Sequence, residues 1–388
     1  MSNDRIVEVT QTSWLSRIKN ALAGIVIGLI LIPVSLGVMF WNEGRAVVTA
    51  RSLAEGRGLV VSVDSAKVDP ANEGHLIHIT GPVKGVGTPE DQFLGVSADG
   101  LRIERKVEMY QWKEDSHSET QKKLGGGEET TTVYTYTKVW TDEALDSSSF
   151  KEPDGHQNPP KPVGNETFSV DEGSLGAFQL TSDQLGYFGK SEPLVLPSDK
   201  ADDMRERLGT DKAARIAGGK LLVGFSADAP MVGDLRISYV VVKPDVGSLV
   251  AAQKGEGVAP YRTEAGNDLF LTDNGNVSAD DMFAEAVTAN TIITWLIRAG
   301  GFLLLFIGFR LILGVISVLA DVVPFIGSIV SFGLGIIAFV PTLLLGATTI
   351  AIAWLYYRPL VAIAVIAVAV LATVGALYLR RKPAVKVA

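Results

Sequence analysis

Apolar residues fall in four long runs. One lies near the N-terminus (residues 21–41) and three fill the C-terminal third (295–313, 325–357 and 359–379), on either side of about 250 mostly polar residues. A helix needs ~20 apolar residues to cross ~30 Å of hydrocarbon, and each run is close to or above that length. The pattern predicts an α+β membrane protein with four transmembrane helices, one N-terminal and three C-terminal. Between the first and second lies a large β-rich extracytoplasmic or luminal domain. The expected divisions are a cytoplasmic tail (1–20), a first transmembrane helix (21–41), a β-rich domain (42–290), a three-helix block (291–379) and a basic cytoplasmic tail (380–388).

The first run is longer than the core of a signal peptide, and Phe40-Trp41-Asn42-Glu43 lacks a small-residue cleavage site, so it reads as an uncleaved anchor. Pro33 interrupts its hydrogen-bond ladder and is expected to kink it. Gly24 and Gly28 form a Gly-x-x-x-Gly pair suited to close helix packing, and Ser331-x-x-x-Gly335 gives a similar face in the third run. Run 325–357 is too long for one straight span and is expected to tilt or break near Pro341. Residues 314–323, leading into Asp321 and Pro324, read as a short interfacial or re-entrant helix. Arg298, Arg310 and Arg358 are expected to anchor the block at the membrane interfaces by snorkelling.

The middle region alternates polar with apolar residues, as half-buried strands do. Strands are expected at 59–63, 75–80, 102–112, 131–140, 220–225, 235–242 and 268–271, with an exposed hairpin tip over 114–129 around Gly125-Gly126-Gly127. A connector at 142–163, short helices at 181–184 and 202–208, and a helix at 280–294 capped by Ser278 complete the reading. A shared Gly-x-Leu strand opening at Gly74–Leu76 and Gly233–Leu235 hints at two related halves.

Charge follows the same division. The chain carries −8 overall, and its two tails and helical block are together positive by seven, so the middle region carries −15. Basic tails and an even number of spans place both tails in the cytoplasm. An acidic domain is a poor partner for nucleic acid. With no cysteine in the chain, disulfides and thiolate chemistry are excluded.

Candidate chemistry is sparse. His75 and His78 cannot share one face of a strand, and with His117 and His156 they complete the histidines. Ser148 and Lys151 match a Ser-x-x-Lys spacing without its companion motifs. No catalytic, cofactor or metal residues are expected, and the chain reads as no enzyme. Asn165 and Asn276 open glycosylation sequons, which matter only for a luminal domain in a eukaryotic cell.

Several segments resemble the transmembrane protein 43 (LUMA) family: Asn42-Glu43-Gly44-Arg45-Ala46, Ser52-Leu53-Ala54-Glu55-Gly56, Asn72-Glu73-Gly74, residues 107–112, Gly155-His156 with Asn158-Pro159, Gly233-Asp234-Leu235-Arg236 and Tyr357-Arg358-Pro359. The resemblance implies a multi-pass protein that self-associates and organises membrane protein complexes. It also implies residence in the endoplasmic reticulum and inner nuclear membrane in animals, where emerin and lamins are the family's partners. The cysteine-free, Ala-, Val- and Gly-rich chain suits a bacterial member, with the domain in the periplasm. The family supplies no catalytic residues. The leading expectation is therefore a non-enzymatic scaffold that forms homo-oligomers and meets lipids and other membrane proteins. Asn42, Glu43 and Arg45 would form a structural junction, with Glu43 pairing with Arg45. An ion channel or channel subunit is the alternative, ahead of a lipid-binding protein or membrane enzyme.

Overall fold

The computed structural model describes residues 4–224 and 229–380; Phe225 of one expected strand and residues 381–388 of the basic tail lie outside them. Helix α1 (Trp14–Leu59) has 46 residues and is about 69 Å long at ~1.5 Å per residue. It therefore overshoots the expected 21–41 span at both ends. Its second half keeps an apolar face in which Ala46, Val47, Leu53 and Gly56 are buried, and this overhang packs on Leu269 of the β domain and on Phe283 of the following helix. The helix continues through Pro33.

Helix α2 (Ala279–Ala320) joins three segments expected to be separate: the 280–294 helix, the second span and the interfacial helix near 314–323. Nothing between Ser278, whose hydroxyl caps the backbone of Asp281, and Asp321 breaks the helix. Helix α3 (Pro324–Tyr357) starts at Pro324 and passes Pro341 unbroken, and helix α4 (Pro359–Arg380) follows after Arg358. Among the described residues, α1, α2 and the part of α3 from Gly327 to Tyr357 are long and apolar enough to cross a membrane; α4 is a shorter apolar helix.

Helices α1 and α2 run antiparallel. A Cβ on Gly28 would stand 2.6 Å from the Gly308 carbonyl oxygen and 2.9 Å from the Ile312 side chain, and one on Gly24 would stand 3.6 Å from Leu311. The Gly-x-x-x-Gly face is thus used inside the chain rather than left for another copy. Gly28→Leu is expected to force α1 and α2 apart and to cost about 1–3 kcal/mol as overpacking, or more where backbone must move. The check is a fall in thermal midpoint in detergent, with Gly37→Leu, a position open on all sides, as the control.

The polar middle region folds into two sheets with separate cores. The first sheet is built on β1 (Arg5–Thr12), β3 (Arg102–Lys122), β4 (Glu128–Thr141) and β5 (Leu235–Lys243), whereas β2 (Leu76–Val86) belongs to the second. Among the described residues the first sheet has eight strands, in the order β1-β4-β3-β5, Lys220–Val223, Ala214–Ala217, with Lys190–Leu194 against β5 and Glu166–Ser169 against β3. Its core holds Ile103, Val107, Met109, Leu235, Ile237, Tyr239 and Met204. The second sheet, of seven strands, joins β2 to β6 (Val246–Lys254) both directly and around through three short strands, so it closes into a small barrel filled by Ile77, Ile79, Leu175, Phe178, Phe188 and Leu249. The Gly-x-Leu openings lead into β2 and β5, central strands of different sheets.

Two expectations are corrected here. The expected hairpin is present but its tip is shorter than 114–129: β3 and β4 pair from Met109↔Thr141 to Lys122↔Glu128, and the turn is confined to 123–127. Most of the expected tail (1–20) is structured: β1 pairs along β4 from Arg5↔Thr135 to Thr12↔Glu128, and α1 starts two residues later. The β-branched residues Ile6, Val7, Val9, Thr10 and Thr12 are the local cause, and β4 supplies the partner edge. The result is a thin three-stranded ribbon, β1-β4-β3. The β3-β4 pairing runs for about 44 Å, thirteen steps of ~3.4 Å from Met109 to Lys122; it leaves the domain after Trp112, and β1 forms the third strand over its last seven steps, Asp115–Lys122.

The root of the ribbon holds the start of β1. The Asp4 carbonyl accepts the Tyr136 amide, and the Lys151 ammonium binds Glu8 at 2.6 Å. His156 is fully buried, stacked on Tyr136 and edge-on to Trp112. The Tyr136 hydroxyl donates to Glu114 at 2.6 Å; burial and then this carboxylate push its pKa up to about 12. Because the folded value lies above the ordinary ~10, this site stabilises the fold fully below about pH 10, and the contribution is lost as pH rises through about 12. A phenolate absorbance titration, subtracted from that of Tyr136→Phe, is expected to show one tyrosine ionising about two units late.

Candidate functional site: two polar clasps on the apolar helices

The first clasp sits where α1, α2 and α3 meet below the β domain. Asn290, Thr294 and Arg298 are four residues apart and so share one face of α2. Opposite them α1 presents Asn42, Glu43 and Arg45. The Glu43 carboxylate is 2% exposed and binds Arg298 through both oxygens, at 2.6 and 2.8 Å, while the Trp354 indole of α3 donates to it at 2.9 Å. Arg298 also lies over the Trp295 ring, 4.7 Å from its centroid. Such a fork-to-fork pair is the strong, directional form of a charged hydrogen bond.

Glu43 does not pair with Arg45, contrary to the sequence expectation. Arg45 turns to neutral partners, the side-chain oxygens of Asn42, Asn290 (3.0 Å) and Thr294 (2.9 Å). Asn42 donates to the Thr294 carbonyl and Asn290 to the Ala46 carbonyl. Consecutive helical positions point about 100° apart, so Glu43 and Arg45 face different neighbours. Gly44 gives the closest approach to α3, since a Cβ there would lie 2.6 Å from the Tyr357 ring.

The second clasp closes the opposite end of the helices. Asp321, 1% exposed, accepts from Arg17 at 2.5 Å and from Lys122 at the ribbon tip at 2.6 Å. Arg17 also binds Glu128 at 2.8 Å and the Gly126 carbonyl at 2.6 Å. The Trp14 indole donates to the Val318 carbonyl, and the Gly125 amide to that of Val322. The backbone at Gly125 and Gly126 has positive φ (88° and 82°), and a Cβ on Gly126 would lie 2.3 Å from Trp14, so glycine lets the turn seat on the helix ends.

Twenty-six residues of α1 separate Arg17 from Glu43, about 39 Å at ~1.5 Å each. A hydrocarbon layer of ~30 Å fits between the two clasps with both polar clusters at its borders. The expected basic anchors take distinct places. Arg298 is locked in the first clasp. Arg310 donates to the Ser331 carbonyl at 2.8 Å and to its hydroxyl at 3.2 Å, bridging α2 to α3 beside a cavity of about 670 Å³. Gly335 lies next to that guanidinium, so Ser331 and Gly335 receive an arginine rather than a tightly packed helix. Arg358 lines a pocket of about 350 Å³ with Trp295, Arg298 and Trp354.

Sequence reasoning did not single out Asn290, Thr294, Trp354, Arg17, Lys122 or Glu128 as site residues. The signal was present for some of them. The 290/294/298 spacing marks one helix face, and Asp321, the single acid of residues 291–388, demands a cation. Among the described residues, no three His, Asp or Glu side chains group as metal ligands.

Apolar helices of spanning length, clasped to a β-rich domain at their end, define an integral membrane protein of α+β architecture. The comparisons with known proteins give the family. The Transmembrane protein 43 family model matches residues 109–359. Human Transmembrane protein 43 is 33% identical over 367 residues, covering 90% of this chain and 88% of its own length. The mouse protein is 32% identical over 372 residues (92% and 90%), and the Transmembrane protein 43 homolog of Drosophila melanogaster 27% over 347 (86% and 89%). The chain belongs to the transmembrane protein 43 family. No solved structure matches it.

Proposed function

We propose that this protein is a non-enzymatic membrane scaffold that self-associates and holds its acidic β domain against one face of the bilayer for partner membrane proteins. The carrying observation is the level of the ribbon. Its tip is tied to the far clasp, so strands rich in Ser, Thr, Glu and Gln stand beside apolar helices at hydrocarbon depth. Non-helical backbone is tolerated at that depth only inside protein or against water. Other copies of the chain supply such a wall. The β domain faces the periplasm in a bacterial cell, or the lumen of the endoplasmic reticulum and nuclear envelope in a eukaryotic one. Light scattering of the detergent-solubilised protein, with the detergent mass subtracted, tests the reading: a defined oligomer is expected, and a monodisperse monomer sinks it.

A second reading, an ion channel or channel subunit, draws on the same polar strands at bilayer depth and on the Arg310 cavity. Purified protein in planar bilayers would give discrete conductance on this reading, and a silent bilayer with verified insertion removes it.

A further inference from the structure

The ribbon has two unpaired edges. β1 bonds to β4 along one side, and among the described residues nothing pairs with its other side from Arg5 to Thr12. β3 leaves the rest of the sheet at its own outer edge after Trp112, whose amide and carbonyl are met by Asn158; from 113 to 122 that edge has no backbone partner among the described residues. Free edges are templates for another strand. At hydrocarbon depth they are also costly, since each unmet backbone group there loses several kcal/mol.

We infer that the outer edge of β1 in one copy pairs with the outer edge of β3 in the next, so that the ribbons form a continuous polar wall inside an outer ring of apolar helices. This rests on the self-association proposed above and adds its geometry. The two edges are different surfaces, so each copy offers one of each; such head-to-tail contacts close into a ring when the rotation permits. β1 and β3 both run antiparallel to β4 and hence parallel to each other. Copies related by rotation about an axis along the ribbon therefore meet in parallel register.

Charge complementarity sets that register. Arg5 is opposite Thr135, and Thr135 is opposite Asp115, so Arg5 and Asp115 stand at one level on opposite edges. Level pairing brings the exposed Arg5 of one copy to the exposed Asp115 of its neighbour, whose carboxylate within its own chain pairs with the exposed Lys113 at 2.7 Å. The same register puts Thr10 beside Thr120 and Gln11 beside Gln121, pairs that bond side chain to side chain across a sheet. Val7 and Val9, 54% and 56% exposed, are covered in part by the neighbouring strand.

The cysteine-free chain permits a direct test. In one chain the two edges are two strand spacings apart, about 9.6 Å, beyond the ~7 Å Cα separation a disulfide can bridge. Any disulfide between them therefore joins two copies. Arg5→Cys with Asp115→Cys, and separately Val9→Cys with Glu119→Cys, are oxidised mildly in native membranes. A reducible ladder of dimer, trimer and higher rungs is expected from both double variants, with no rung above dimer from any single variant. If neither double variant gives rungs above dimer while the parent elutes as an oligomer in detergent, edge pairing is overturned and self-association stands. A monomeric parent overturns both. Elution of each variant at the parent's volume shows that it is folded, which exposed positions favour.

Discussion

Glu43→Gln is expected to destabilise the folded protein by about 3–5 kcal/mol, the cost of leaving a buried charge without its partner. Arg298, 12% exposed, would keep its charge beside Trp295 and Trp354 with no carboxylate to meet. The measurement is a thermal midpoint in detergent, read as loss of the monodisperse peak. Arg45→Ala discriminates this assignment from the one the sequence suggested. It removes hydrogen bonds from a charged donor to neutral oxygens, at about 1.5–3 kcal/mol in all, and leaves the Glu43–Arg298 pair intact. If Arg45→Ala costs more than Glu43→Gln, the clasp is not held as described. Removing both charges, Glu43→Leu with Arg298→Met, is expected to cost less than the two single changes added together, because neither charge is then left uncompensated. The residual loss comes from the Trp354 indole, which gives up its acceptor.

Local chemistry explains which parts of this fold were legible in the sequence. The four apolar runs announced themselves because a bilayer demands length and uniformity from each helix alone. Strand positions followed from alternation and from glycine-rich turns. Helix lengths did not, because residues 42–59 and 280–294 are amphipathic and look like domain surface until each is seen to be the other's partner. The same holds for the junction: Asn42, Glu43 and Arg45 were visible as a cluster, but Glu43 chooses Arg298, 255 residues away. Proximity in sequence made Arg45 the obvious partner, and helix geometry turned it aside. β1 was hidden for a different reason. Eight residues with one base and one acid, next to Asp4 and the charged start of α1, pass for a polar tail, and the strand exists only because β4 offers an edge to pair with.

Asp321→Ala is expected to detach the ribbon tip from the helices. The carboxylate is buried between two cations from different parts of the chain, Arg17 at the start of α1 and Lys122 at the end of β3, and it sits where α2 gives way to α3. Gly327 makes room for it, since a Cβ there would fall 1.8 Å from its Oδ1. Loss of the acid leaves both cations facing each other at the helix ends. Arg17 retains Glu128 at 2.8 Å, whereas among the described residues Lys122 pairs with no acid besides Asp321. The penalty for an uncompensated buried charge, about 3–5 kcal/mol, is then relieved by local opening rather than by global unfolding, because the ribbon makes its firm attachments at the tip and at the root and is thin between them. Amide hydrogen exchange should therefore rise by two to three orders of magnitude over 118–132, since each ~1.4 kcal/mol is tenfold in an opening equilibrium, while the barrel strands β2 and β6 stay protected. Asp321→Glu keeps the charge but must push against Gly327, so it should fall between the two. If exchange rises equally in the barrel and the ribbon, the far clasp holds the whole molecule rather than the ribbon, and the ribbon's level in the bilayer is fixed from its root.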